Sequence, residues 1–384
     1  MPAVRLAIYS DYSYRRNGDE LWAERAVVVF LAGLARWLDG VTLVGRLEPE
    51  PGEWAYRVPP QVKFAALPHY PSLARPAQAV RALASSVRRF WRVLDEVDGV
   101  WLLGPHPFAI AFALLAWCRG RSVTLGVRQD LPAYVSNRHP GRRSLRVAAL
   151  VLEGVWRLLG RAWPVVVVGP DLARRYQRSR RMLPISISLV GADDIAGSEV
   201  LESRDYDGEL RVLSVGRLEA EKNPLLLADI LGELATGEGR WRLIVCGEGP
   251  MATDLRARLE SLGVADRAEL LGFVSLDNGL ADLYRSSHLL LHCSWTEGVP
   301  QVLLEASAAR LPMVATAVGG VPVAADGTAL LVRAGDARAA ADALRRLAGD
   351  AALRQRLTEV GAGRAREHSL EAETRLVADF LMHV

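Results

Sequence analysis

The chain has 384 residues, of which 50% are hydrophobic and 24% charged, with a formal net charge of +3. That length leaves room for two domains with cores of their own, and the interleaved charges exclude a disordered chain and a dedicated nucleic-acid binder, which carries a marked excess of Lys and Arg. The three cysteines, Cys118, Cys246 and Cys293, lie far apart in apolar runs, which suits reduced core thiols of a cytoplasmic protein better than metal ligation or a disulfide framework.

The N-terminal run MPAVRLAIYSD holds one Arg before an apolar stretch too short for a signal peptide, and it reads as a first strand over 5–10. A polar loop over 12–19 follows it and contains Gly18. Helical patterns at 20–38 and 78–97 alternate with strand patterns at 41–46, 62–67, 100–103, 122–127 and 165–168, the rhythm of a parallel sheet wrapped by helices. The longest apolar runs, such as 109–118, fall short of the roughly 20 residues needed to span a bilayer. The helical stretches 80–97 and 145–163 combine Arg with Trp, Phe and Leu. That mixture suits a helix lying on an anionic membrane surface, and ordinary amphipathic packing accounts for it as well, so peripheral contact with the inner face of the cell membrane stays open.

Residues 184–190 read as a strand, and the acid-rich, aperiodic segment 191–206 reads as a linker. The same alternation then resumes, with strands expected at 211–215, 242–246, 269–273, 289–292, 313–317 and 329–332. The division is thus an N-terminal domain over 1–190, a linker over 191–206, a second α/β domain over 207–368 and a final helical piece, 369–384, that is surplus to the second sheet and available to pack back on the first.

Ligands of open parallel sheets bind where the strands end, so the residues just after each strand carry the information. After 211–215 stand Gly216, Arg217 and, five positions beyond Arg217, Lys222, and two cations at a strand end suit a diphosphate. After 242–246 comes Gly247-Glu248-Gly249-Pro250, a tight turn opening a helix. Gly247, Gly249 and Ala252, with Glu269 further on, also fit a loose dinucleotide fingerprint, but it follows the second strand of its domain, where a nicotinamide-binding fold would have it after the first. The densest signal is SWTEGVPQVLLEA, which follows the buried-strand pattern LLLH. Pro300 suits a first helical residue, and the amides of Gln301 and Val302 would point from the helix N-terminus toward a phosphate. Glu297 stands at that mouth and Glu305 about one and a half turns into the helix, so one carboxylate can reach a sugar and the other a ribose.

In this order, SVGRLEAEKNP, VCGEGP, LLGFVS, SWTEGVPQVLLEA and VATAVGG resemble the donor domain of the retaining family 4 glycosyltransferases of GT-B fold, over about 210–335. The resemblance implies two Rossmann-like domains facing each other across a cleft, acceptor side first. It implies no cofactor and no metal, since Arg217 and Lys222 match the pair that holds the donor diphosphate. Glu297 matches the acid on the transferred sugar, Glu305 the one on the ribose, and the backbone about Gly272, Phe273 and Val274 the contact to the base. Gly216, Gly247, Gly249, Gly298, Val299, Gln301 and Val302 complete the implied donor site, and Gly18 matches the glycine that faces the phosphates from the first domain. The implied partners are a UDP- or GDP-type nucleotide sugar and a glycan or lipid-linked acceptor, in polysaccharide, glycolipid or cell-envelope glycan synthesis.

The chain departs from the family pattern in several places. Val299 replaces a common Phe, Arg310 a common Gly and Val323 a common acid. The family often has a His after the fourth or fifth strand of the first domain, where this chain reads Gly126-Val127-Arg128-Gln129-Asp130. Arg128 and Asp130 are therefore acceptor-side candidates, with a mutual ion pair as the bland alternative, and His106 after 100–103 is the other. His139 and His292 read as a loop residue and a core residue. Two rivals remain: a GT-B nucleotide-sugar epimerase, and a catalytically silent binding subunit.

Overall fold

The computed structural model describes residues 4–70, 76–138, 141–237, 239–275 and 279–384. Two compact units divide the chain: Met1–Leu189 with Leu370–Val384, and Val190–Ser369.

The first unit carries β1 (Arg5–Asn17), β2 (Glu20–Ala23), β3 (Gly40–Leu47), β4 (Tyr56–Arg57), β5 (Lys63–Leu67), β6 (Gly99–Gly104), β7 (Ser122–Val127), β8 (Val165–Val168) and β9 (Met182–Ile185). Its parallel order is β5-β3-β1-β6-β7-β8-β9, so neighbouring strands β3 and β6 run out from β1 in opposite directions. The expected loop 12–19 is a continuation of β1 and a hairpin: residues from Tyr14 to Asn17 pair antiparallel with β2, and Gly18 takes φ +57° at its two-residue turn. A left-handed turn position is reason enough for glycine there. The helix expected from residue 20 therefore starts only at Val27. The apolar Leu21 and Trp22 serve the strand, because the hairpin presents a partner that no helical period reveals.

One face of this sheet buries Phe90, Phe112 and Trp156 beneath helices Pro76–Val93, Pro107–Cys118 and Arg143–Leu159. The other buries Phe30, Leu31 and Val377 beneath helices Val27–Gly33 and Leu370–Met382. The C-terminal helix is fastened by Trp37 Nε1, which donates to Thr374 Oγ1 at 3.0 Å.

The second unit is a six-stranded, all-parallel sheet: β10 (Leu210–Val215), β11 (Trp241–Cys246), β12 (Ala268–Gly272), β13 (Leu289–His292), β14 (Met313–Thr316) and β15 (Ala329–Val332), in the order β12-β11-β10-β13-β14-β15. All six match expected positions to within one residue at either end, because buried parallel strands read as unbroken apolar runs. Residues 191–206 lie within this unit: Ala196 N–H donates to Ala308 O at 2.8 Å, and Arg204 donates to the carbonyls of Ala309 and Arg310 at 2.8 and 2.5 Å. Arg310, where the family commonly has Gly, adopts φ +48° and donates from Nε to Ala196 O at 2.9 Å. The strain of a left-handed non-glycine is thus met by a hydrogen bond that glycine could not make.

Candidate active site

In the second unit the strand order reverses direction between β10 and β13, and loops leaving adjacent strands at such a point diverge and open a crevice. The loop after β10 carries Arg217 and the one-turn 3-10 helix Ala220–Lys222, closed by Asn223 at φ +47°. The loop after β13 carries Ser294 and Glu297 and ends at helix Gln301–Ala308. The two are joined at the backbone, where Trp295 N–H donates to Glu221 O at 2.8 Å, and through side chains, where Lys222 Nζ donates to Glu297 Oε1 at 2.5 Å.

Glu297 also accepts from Ser294 Oγ at 2.6 Å, and His292 Nε2 stands 3.1 Å from the same oxygen without the alignment of a hydrogen bond. Burial alone would raise its carboxyl pKa, but His292 and Lys222 more than offset that and lower it to about 2. Glu297 is therefore a carboxylate fixed in place. His292 is buried as expected of a core residue, yet its polar end is spent on the site. A His on the last residue of a central strand was the available signal.

Four glycines let these loops close on one another. A Cβ on Gly247 would come within 1.8 Å of Gly216 O, one on Gly249 within 2.3 Å of Leu218 O, one on Gly319 within 2.0 Å of Glu297 O and one on Gly320 within 2.1 Å of Gly298 O. The spacing of the motif glycines is thus backbone packing around a cradle, reinforced by Leu218 N–H donating to Glu248 O at 2.8 Å. Arg217 is half exposed and held on its own loop by Glu219 and Glu221, at 2.6 Å each.

Pro300 is the N-cap, with extended backbone, and not the first helical residue. No side chain caps the helix there, so the amides of Gln301 and Val302 begin it. Half-exposed Val299 lies beside Gly320, whose Cβ would meet its methyl at 3.7 Å. Glu305 is buried, with Oε2 accepting from Tyr284 O–H at 2.7 Å, and its burial raises its carboxyl pKa. Phe273 exposes its ring while its amide donates to Glu248 Oε1 at 3.3 Å, and Val274 packs into the core below.

The first unit has a comparable point between β1 and β6. Asp11 Oδ2 lies 3.3 Å from His106 Nε2, Tyr9 O–H lies 3.1 Å from His106 Nδ1, and Tyr70 O–H donates to Asp11 Oδ1. Arg46 Nε adds a cation 3.3 Å from Asp11. Burial raises the Asp11 pKa, while His106 and Arg46 bring it below the ordinary carboxylate range. Sequence reading singled out His106 alone, since Asp11 of β1, Arg46 of β3 and Tyr70 beyond β5 come from separate segments. The mutual pairing considered for Arg128 and Asp130 is not what forms. Asp130 pairs with Arg175 at 2.6 Å and accepts from Ala133 N–H at 3.2 Å, while Arg128 lies over the Tyr12 ring at 5.3 Å, its pKa lowered by burial to about 10. His139 lies outside the described residues.

Residues 201–364 match the model of the family described as glycosyl transferases group 1. The matched stretch lies within the second unit. The chain is similar to alpha-D-kanosaminyltransferase of Streptomyces kanamyceticus, with 28% identity over 71% of each chain. It is also similar to the gpi3 subunit of phosphatidylinositol N-acetylglucosaminyltransferase of Schizosaccharomyces pombe, 33% identical over 31% of this chain. The aligned stretch spans 25% of that relative's length. Among solved structures, HepE of Anabaena in complex with UDP and glucose covers 99% of this chain and 100% of its own, at TM-score 0.73 and 14% identity. Sucrose-phosphate synthase of Thermosynechococcus elongatus covers 99% and 98%, at TM-score 0.72 and 17% identity. At such identities these two carry the fold, which is the expected GT-B class. Among the described residues no helix is long and apolar enough to cross a membrane, and no group of three or more His, Cys, Asp or Glu is placed to hold a metal.

Proposed function

We propose that this glycosyltransferase group 1 chain moves a sugar from a nucleoside diphosphate donor to a hydroxyl acceptor with retention at the anomeric carbon. The observation that carries the reading is the Lys222–Glu297 pair at the β10–β13 switch point, walled by Gly247, Gly249, Gly319 and Gly320. Arg217 and Lys222, together with the amides at a helix N-terminus, supply the donors that a diphosphate takes.

In the proposed reaction the acceptor oxygen bonds to the anomeric carbon as the bond from that carbon to the diphosphate oxygen breaks. The acceptor proton passes to the departing phosphate oxygen. Arg217, Lys222 and the amides of Gln301 and Val302 stabilise the charge that develops there, so no metal is needed. Glu297 holds hydroxyls of the transferred sugar, and Glu305, oriented by Tyr284, holds the ribose. The acceptor hydroxyl belongs to the first unit, where Asp11, Tyr70 and His106 supply hydrogen-bonding groups. Two named relatives favour a glycan or lipid-linked acceptor: the gpi3 subunit, and a Campylobacter jejuni enzyme that extends an undecaprenol-linked glycan, 26% identical over 39% of this chain. Three free thiols, two of them buried, suit a cytoplasmic location.

A thermal-shift screen against UDP, GDP, ADP and their sugars tests the donor half, because a ligand at a hundred times its Kd adds about 2.7 kcal/mol of stability. Uridine donors come first, since HepE was crystallised with UDP and with UDP-glucose. Stabilisation by one nucleoside diphosphate, and acceptor-dependent turnover that persists in EDTA, are expected. No shift with any of them, or donor consumption without an acceptor, would reject the reading.

A further inference from the structure

Helix Arg143–Leu159 buries one face in the first unit, through Ala149, Glu153 and Trp156. Its opposite face is apolar as well. Val147, Leu150, Val151 and Leu158 are exposed at 59%, 54%, 60% and 60%, and their spacing of three, four and seven residues sets Val147, Val151 and Leu158 along one outward stripe. Water offers that stripe nothing, and among the described residues no side chain covers it.

The charge around the stripe is one-sided. Arg142, Arg143, Arg146, Arg157 and Arg161 are all exposed on or beside the helix, with Arg143, Arg146 and Arg157 flanking the stripe. The single acid between residues 141 and 161 is Glu153. It is turned inward at 5% exposure and accepts from Tyr176 O–H at 2.8 Å. On the same face of the sheet, helix Pro107–Cys118 also leaves Leu114 and Trp117 exposed, at 47% and 62%.

We infer that the outer face of Arg143–Leu159 is a docking surface for a bilayer containing anionic phospholipid. An exposed apolar stripe edged by the arginines of its own helix matches an acyl boundary beneath negatively charged headgroups. A protein partner of mixed charge would leave these arginines unmatched. The helix lies in the membrane plane and does not cross it. The inference stands on this surface alone and does not require the proposed donor chemistry.

Flotation with vesicles tests it, using phosphatidylcholine alone or with about one third phosphatidylglycerol, and with neither donor nor acceptor present. The whole chain is expected to bind the anionic vesicles at least about 10-fold more than the neutral ones and to lose that margin in high salt. The triple variant Arg143→Gln/Arg146→Gln/Arg157→Gln should lose roughly five-fold per arginine. The triple variant Val147→Asp/Val151→Asp/Leu158→Asp should float with neither vesicle. An unchanged melting temperature shows that each variant folds, and the arginine variant decides the matter should the aspartate variant fail to fold. Equal flotation with both vesicles, or none by the wild type, overturns the inference. So does a self-associating wild type that Val151→Asp renders monomeric in sedimentation velocity, which would assign the stripe to a second copy of the chain. UDP thermal shifts on the same samples separate this outcome from failure of the donor reading.

Discussion

Lys222 Nζ and Glu297 Oε1 stand 2.5 Å apart although 75 positions separate them in sequence, and this contact ties the loop after β10 to the loop after β13. The pair is mostly shielded, with side-chain exposures of 23% and 8%, so removing one partner leaves the other charge poorly solvated and costs more than breaking a surface pair.

Lys222→Ala should reduce kcat/KM for the donor by a factor equivalent to about 2–4 kcal/mol, because the departing diphosphate loses a cation. Steady-state kinetics at saturating acceptor checks this, and wild-type kcat/KM would refute the assignment.

Acid stability follows from the same contact. The folded carboxyl of Glu297 titrates near 2, below its unfolded value, so its contribution is present above the unfolded pKa and is lost as pH falls toward 2. The contribution is on the order of 3 kcal/mol. Glu297→Gln should therefore flatten the fall in melting temperature between about pH 5 and pH 2. It should also spare the affinity for free nucleoside diphosphate.

Glu305 makes the opposite pattern. Its pKa is raised by burial, so the folded state favours the neutral carboxyl, and stability is lost as pH rises through the folded value. Glu305→Gln is expected to melt higher than wild type above that pH and to bind nucleoside diphosphate more weakly. Tyr284→Phe, which removes the 2.7 Å hydrogen bond to Glu305, should weaken the same binding with less effect. Calorimetry with the free nucleotide measures both, and unchanged affinity in Glu305→Gln would remove the ribose from its role.

Gly319→Ala should cost about 1–3 kcal/mol in stability and lower turnover with it. Its φ is +50°, and a Cβ there would come within 2.0 Å of Glu297 O, so the Glu297 loop must move. Gly18→Ala meets an open site at φ +57° and should cost only about 1 kcal/mol, from the left-handed backbone. Chemical denaturation and kinetics on the two variants distinguish a crowded glycine from a merely twisted one.

In the first unit, Asp130→Asn should keep its activity and lose about 0.5 kcal/mol, since it breaks the half-exposed pair with Arg175. His106→Gln should lower acceptor-dependent kcat by at least about 10-fold while donor affinity holds. Activity intact in His106→Gln, or lost in Asp130→Asn, would reverse the two assignments.

Sequence alone determined the alternation of strands and helices in both halves, because a buried parallel strand such as Leu289–His292 is an unbroken apolar run that local pattern exposes. It also determined the order of the residues proposed for the donor side, since Gly216, Arg217 and Lys222 occupy one loop and Glu297 and Gly298 another, each after its strand, with Gln301 opening the helix that follows. Tertiary structure decided what no local pattern holds. Whether Leu21 and Trp22 lie in a helix or a hairpin depends on β1 and β4 as partners. Whether His292 serves the core or Glu297 depends on the strand order that sets β13 beside β10. The partner of Asp130 is Arg175, 45 positions away, and Asp11, Arg46, Tyr70 and His106 meet only because β1, β3 and the segments that follow β5 and β6 lie side by side in the sheet. Side-chain charges find one another through space, and in a doubly wound sheet the neighbours in space are fixed by the crossovers, not by the residues that flank them.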